Sequence, residues 1–193
     1  MATTNLIVDF LVVGTISIVW IAPILLFALG TEWLCSLAKL TAGHVPLILG
    51  ALYAVGIPVS RLADRLTERW NDGIRDRVFG EGSRPGYHNQ VNKIIAMSQG
   101  ATDYLGYRRS IVRISRACAL NFGLGALAWI GLWCLRRGLV PDVCFAGIVV
   151  VCVFGAWMMV HAWQVVLEGY FYSVNDIYRW LREEEYWTRR GAR

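Results

Sequence analysis

Apolar residues in this chain fall in four long blocks, and the charges crowd between and after them. Residues 6–29, about 40–60, 117–135 and 143–167 are nearly free of Asp, Glu, Lys and Arg. A helix rises about 1.5 Å per residue, so about 20 apolar residues cross a hydrocarbon core of about 30 Å. Each block is read as a membrane-spanning helix. The second is short if it starts at His44, so its span is taken from near Leu40. The expected fold is all-α: a polytopic membrane protein of four transmembrane helices in two hairpins, with amphipathic cytoplasmic helical extensions. The first hairpin occupies 1–60, a basic helical segment 61–116, the second hairpin 117–169, and an aromatic amphipathic tail 170–193.

The first block reads as a span rather than a secretion signal. No Lys or Arg precedes it, and its apolar run exceeds the usual 7–15 residues of such a signal. Ala28, Gly30 and Ser36 mimic a small-residue cleavage site without changing that reading.

Helical periodicity continues past the second block. Leu62, Leu66, Trp70 and Ile74 recur every four positions, which makes one apolar stripe. Acids and arginines alternate around it at spacings that allow pairing along a helix. The pattern predicts one helical path from about Leu40 to Phe79, bent if anywhere at Pro58. The stripe would be buried against other cytoplasmic helices or the membrane surface. Gly80-Glu-Gly-Ser-Arg-Pro-Gly86 predicts a loop. Asn89 is expected to cap a further helix running toward span three, weakened at Gly100 and Gly106. Span four is expected to end near Gly169. Beyond it Tyr170, Phe171, Tyr172, Tyr178, Trp180, Tyr186 and Trp187 read as an interfacial helix.

Charge then orients the spans. The chain of 193 residues is 56% hydrophobic and carries net charge +5. Sixteen of its nineteen cations fall in 61–116 or after Gly169, and only Lys39, Arg136 and Arg137 lie in the other two turns. The positive-inside rule places the rich side in the cytoplasm, and with four spans both termini join it. This corresponds to a multi-pass protein of the inner (plasma) membrane.

Motifs for catalysis are missing from the sequence. No HExxH, GxSxG or CxxC occurs. His44 and His161 lie at different depths of the bilayer, so one chain does not clamp a haem between them. His161 is expected to be a polar group satisfied between helices. No metal site or cofactor is expected. The five cysteines read as small buried hydrophobes, with a Cys134–Cys144 bridge as the one pairing that the short outer turn permits. Asp9 and Asn121 are the other polar residues inside spans. Asp9 is expected at a capped or water-facing helix end, and Asn121 is expected to hydrogen-bond across helices. Gly50-xxx-Ala54, Ala119-xxx-Gly123 and Cys152-xxx-Ala156 have the small-residue spacing that permits close helix contact.

The most informative local feature is Arg108, Arg109, Arg113 and Arg116, just before span three with no acid among them. Anchoring of topology is the plainest reading. Attraction to anionic headgroups, at about 1 kcal/mol per cation, is its lipid form. An acidic partner protein is the functional reading, ahead of a phosphate ligand, and direct nucleic-acid binding ranks last. Trp180 and Trp187 are the further candidates for a partner- or headgroup-binding surface. The layout of two hairpins around a basic cytoplasmic segment is similar to that of membrane subunits of bacterial anti-phage defence systems, Kiwa among them. The similarity is one of layout, with no motif matched residue by residue.

These features point to a non-enzymatic membrane subunit that oligomerises and docks or senses through a basic cytoplasmic surface. Its expected partners are membrane lipids, further copies of itself and a cytoplasmic protein. A pore- or channel-forming oligomer is the first alternative and would need a ring of chains, because the spans hold so few polar groups. A small transporter or membrane enzyme is the second, and the midplane charges and broken helices that accompany that class are scarce here.

Overall fold

The computed structural model describes residues 2–30, 42–80, 84–135 and 141–191, with side chains for 6–30, 43–80, 86–135 and 141–183. Within these the fold is all-helical and holds no strand. Five α-helices follow in order: α1 Ala2–Leu29, α2 Val45–Phe79, α3 Arg84–Met97, α4 Gln99–Leu135 and α5 Asp142–Gly191. A short 3-10 turn, Ala42–His44, leads into α2. All but α3 are long and apolar enough to cross a membrane.

Several boundaries differ from those the sequence suggests. Leu40 lies outside the described residues, and α2 starts at Val45. It runs unbroken through Pro58 to Phe79. Helix α3 begins at Arg84, inside the expected Gly-rich loop, with Pro85 in its first turn where the missing N–H costs nothing. Asn89 is therefore interior and caps nothing. The break before span three falls at Ser98 rather than at Gly100 or Gly106. Ser98 Oγ accepts from the Ala101 N–H at 3.3 Å, which is an N-cap geometry, and α4 then runs through both glycines. Nor does α5 stop at Gly169. It is one helix of 50 residues, about 75 Å at the usual rise. Left-handed glycines end α1 and α2: Gly30 at φ 69° and Gly80 at φ 88°.

The chain divides into two compact units. The first comprises Met1–Leu66 and Arg113–Ala162. In it α1 and α2 run antiparallel, with backbones in contact at two glycines. A Cβ on Gly14 would collide with the Leu52 carbonyl, and one on Gly56 with the Phe10 carbonyl. The Phe10 and Tyr53 rings meet edge to face between these points at 5.8 Å. Helices α4 and α5 are likewise antiparallel. Gly125 faces Cys152, Gly155 faces the Phe122 ring, and Trp133 stacks on Phe145 at 5.4 Å. Val13, Val59, Ala63 and Ala117 form the core where α1, α2 and α4 converge, with Trp20, Val55 and Leu120 against it. The expected small-residue sites fare differently. Gly50 and Gly123 face open space, whereas Cys152 is buried.

The second unit comprises Thr67–Val112 and Trp163–Arg193. Val91, Ile94, Leu105, Val112, Trp163 and Leu167 are among its buried residues. Phe79, Tyr87 and Phe171 form a ring cluster with centroids 5.5–6.0 Å apart. Of the apolar stripe of α2, the other helices leave Leu62, Leu66 and Trp70 exposed and Ile74 partly buried, and the Trp70 ring packs against Trp163 at 6.0 Å.

Candidate functional site

Polar side chains gather in two networks, one in each unit. The first grows from matching periodicities. Asp9, Val13 and Ser17 repeat every four residues on one face of α1, and Arg113, Ala117 and Asn121 do so on α4. The two faces pack in parallel with a constant offset of 104 positions: Arg113 meets Asp9 and Asn121 meets Ser17.

Asp9 is only 3% exposed. Its Oδ2 accepts from Arg113 Nη1 at 2.9 Å. Asp9 therefore does not face water at a helix end; it is a buried partner of an arginine. One turn further along α4, Arg116 Nη2 donates to Asp64 Oδ1 of α2. These two pairs fasten α4 to both helices of the first pair.

Deeper in the same unit Asn121 is fully buried, and both the oxygen and the nitrogen of its amide are engaged. Its Oδ1 accepts from Trp20 Nε1 at 2.9 Å, and its Nδ2 donates to the Val13 carbonyl at 2.9 Å. Ser17 Oγ lies 3.0 Å from Asn121 Oδ1 and 2.9 Å from the Val13 carbonyl, and its single proton serves one of them at a time. Asn121 thus hydrogen-bonds across helices as the sequence suggests. Trp129 Nε1 adds a bond to the Val19 carbonyl at 3.1 Å.

The second network holds the other two arginines. Arg108 Nη1 donates to Tyr104 OH at 2.9 Å and to Ser173 Oγ at 3.2 Å. The bare Gly169 lets its guanidinium lie against α5. Arg109 Nη2 donates to Tyr170 OH at 3.1 Å, and Tyr170 OH shares a hydrogen bond of 3.0 Å with Tyr87 OH. Burial, reinforced by the neighbouring Tyr170, pushes the Tyr87 phenol above its ordinary value, and the Arg109 guanidinium offsets part of that rise. The four arginines, which lie within nine residues, fan out to three helices. Arg108 and Arg109 hold α5, Arg113 holds α1 and Arg116 holds α2.

The remaining expected site residues stand apart. Trp180 is exposed on α5. Trp187 lies on the helix, but its side chain is outside the described residues. His161 is exposed rather than satisfied between helices, and its ring stacks on Trp157 at 6.3 Å and 11°. Cys134 and Cys144 are exposed free thiols, and no bridge joins them. Among the described residues no group of three His, Cys, Asp or Glu is placed to hold a metal ion.

Sequence reasoning missed Asp64, Ser17, Trp20, Tyr87 and Tyr170 as members of these networks. A signal for one of them was present. Asp9 and Ser17 are eight residues apart on α1, as are Arg113 and Asn121 on α4, so two parallel helices would bring both pairs into register together.

Comparison with protein-family models, with curated proteins and with solved structures finds no match to this chain.

Proposed function

We propose that the chain is a non-enzymatic integral subunit of the inner membrane that associates with further copies of itself and docks a cytoplasmic partner. In this reading its four long apolar helices cross the bilayer as two hairpins, with both termini in the cytoplasm. The antiparallel contacts within α1–α2 and α4–α5, and the parallel contact of α1 with α4, agree with a serpentine of four spans. The second halves of α2 and α5 and the first half of α4 are then cytoplasmic extensions. Their length supports this, since α2 alone measures about 52 Å at the helical rise, against a core of about 30 Å.

The observation that carries the self-association is the state of α5. Only 6% of its most apolar window is buried within the chain, against 28% for the windows of α1 and α4. Val150, Val151, Val153, Phe154 and Trp157 are all exposed there. Lipid can solvate such a face, but His161 on the same helix is a polar group that gains from a partner in an apolar layer. The docking surface is assigned to the exposed cytoplasmic residues, Trp180 among them. Arg108, Arg109, Arg113 and Arg116 already have partners within the chain, so their role in this reading is to hold the docking helices in place.

Cross-linking a Val153→Cys variant in native membranes tests the assembly. A disulfide-linked dimer is expected in the variant and not in the parent chain, whose exposed Cys134 and Cys144 control for other contacts, and a variant that stays monomeric at every oxidant concentration would refute self-association through α5. Mass spectrometry of chains co-purified in mild detergent tests the partner, and recovery of this chain alone would count against docking.

A further inference from the structure

The second unit contains a groove of about 380 Å³ that neither polar network uses. Its α2 wall carries Arg69, Trp70 and Arg77, and its α5 wall carries Gln164 and Glu168. All five are exposed. Between the two arginines lies Gly73, and a Cβ placed there would meet nothing within 4 Å. The glycine is therefore a notch in the wall, not a site of close helix contact. Trp70 presents 61% of its surface, although its ring also packs 6.0 Å from buried Trp163.

The chemistry of this lining is specific. Two guanidiniums on one wall are donors suited to phosphate oxygens. A carboxylate on the opposite wall repels a simple anion and attracts a cation. A ligand that satisfies both walls carries a phosphodiester and, a few bonds away, an ammonium group. Glu168 favours a primary ammonium, whose N–H donors it can accept, over a quaternary one that has none. Leu66 and Leu62, one and two turns before Trp70, continue the same exposed stripe of α2 toward its apolar half.

We infer that this groove binds the headgroup of an aminophospholipid of the phosphatidylethanolamine type, with its phosphate on Arg69 and Arg77, its ammonium on Glu168, and its glycerol end against Trp70. The inference rests on the membrane placement proposed above. The occupant is a lipid of the surrounding leaflet rather than a soluble phosphoamine, because the exposed leucines lead away from the groove along the apolar side of the same helix.

Native mass spectrometry of the detergent-purified full chain tests this, with phosphatidylethanolamine, phosphatidylcholine and phosphatidylglycerol offered in equal amounts. Retention of the ethanolamine lipid is expected to exceed that of each of the others about fivefold. Glu168→Gln should abolish its advantage over phosphatidylglycerol. Arg69→Gln with Arg77→Gln should lower retention of all three. Gly73→Leu fills the notch at an exposed helical position, where it raises helix propensity, and should lower retention while the chain stays folded. Equal retention of the three lipids, or an unchanged pattern in Gly73→Leu, would overturn the site. Displacement of the lipid by free phosphoethanolamine at matched concentration would overturn the lipid as its occupant. Failure of the underlying membrane placement reads differently: the chain would then leave membranes in a carbonate wash without detergent.

Discussion

Arg113 of α4 donates to Asp9 of α1 at 2.9 Å, joining the first and third of the four apolar helices at a point where the carboxylate is almost fully buried. A buried pair of this kind adds little net stability over a well-packed apolar pair, but removing one partner strands the other. Arg113→Ala should destabilise the detergent-solubilised chain by about 3 kcal/mol, by analogy with other broken buried pairs. The double variant Asp9→Ala with Arg113→Ala should recover most of that loss. Thermal unfolding of the four proteins forms the cycle, and a double variant less stable than Arg113→Ala alone would show that the pair is not an isolated unit.

Asn121 makes a separate prediction because its amide has both a donor and an acceptor role. Interhelical hydrogen bonds of this kind are worth about 1 kcal/mol each in membranes. Asn121→Leu, which strands the Trp20 indole N–H, should lower stability by about 1–2 kcal/mol. Asn121→Asp should be worse despite its similar shape. It sets an acceptor against the Val13 carbonyl, which needs a donor, and it brings a charge into a buried site. Unfolding curves of the two variants decide the order.

How much of this was legible in the chain depends on the kind of signal. The four apolar helices and the continuous path from span two to Phe79 follow from local pattern, and the structure contains both. Asn121 was visible as a polar residue in an apolar block with nowhere to go but another helix. The partners of the arginines were not visible. Arg109, Arg113 and Arg116 share one helical face in sequence, which suggests one external ligand, but α4 sits where three helices meet and each side chain reaches a different one. Pairing between elements more than 50 residues apart is a tertiary fact that spacing along one helix does not encode. The break at Ser98 was missed for a local reason. Gly100 and Gly106 looked like stronger helix breakers, yet an N-cap serine defines a new helix start while an interior glycine costs only about 1 kcal/mol.

Close packing supplies a third prediction, and it contrasts two glycines that the sequence did not single out with two that it did. Gly14 and Gly56 sit where α1 and α2 backbones touch, so even Gly14→Ala or Gly56→Ala must push the helices apart. Both variants should lose the monodisperse peak in detergent gel filtration. Gly50→Ala and Gly123→Ala, whose new methyl groups would meet nothing within 4 Å, should elute as the parent does. Normal elution of Gly56→Ala would mean that the helices are not in backbone contact there.

The last prediction concerns pH and the hydroxyl pair of the second unit. Tyr87 is held above its ordinary phenol value mainly by burial, with Tyr170 3.0 Å away adding to the rise. The sign of the linkage follows from proton counts. Below about pH 10, the ordinary tyrosine value, folded and unfolded chains both keep this proton and its contribution is constant. Above it the unfolded chain releases the proton while the folded chain retains it, so the unfolded state binds fewer protons and stability falls as pH rises. Tyr87→Phe removes the ionisable group. It should cost about 1 kcal/mol at neutral pH through the lost hydrogen bond and flatten the decline in unfolding temperature between about pH 10 and 11, the interval just above the ordinary phenol value. Arg109→Gln should act in the opposite direction on the same curve, since the guanidinium is the group that offsets part of the rise. Removing it leaves the folded phenol still harder to ionise, and the decline should extend to higher pH. If Tyr87→Phe and the parent lose stability in parallel across that interval, the phenol is not the group that titrates on unfolding.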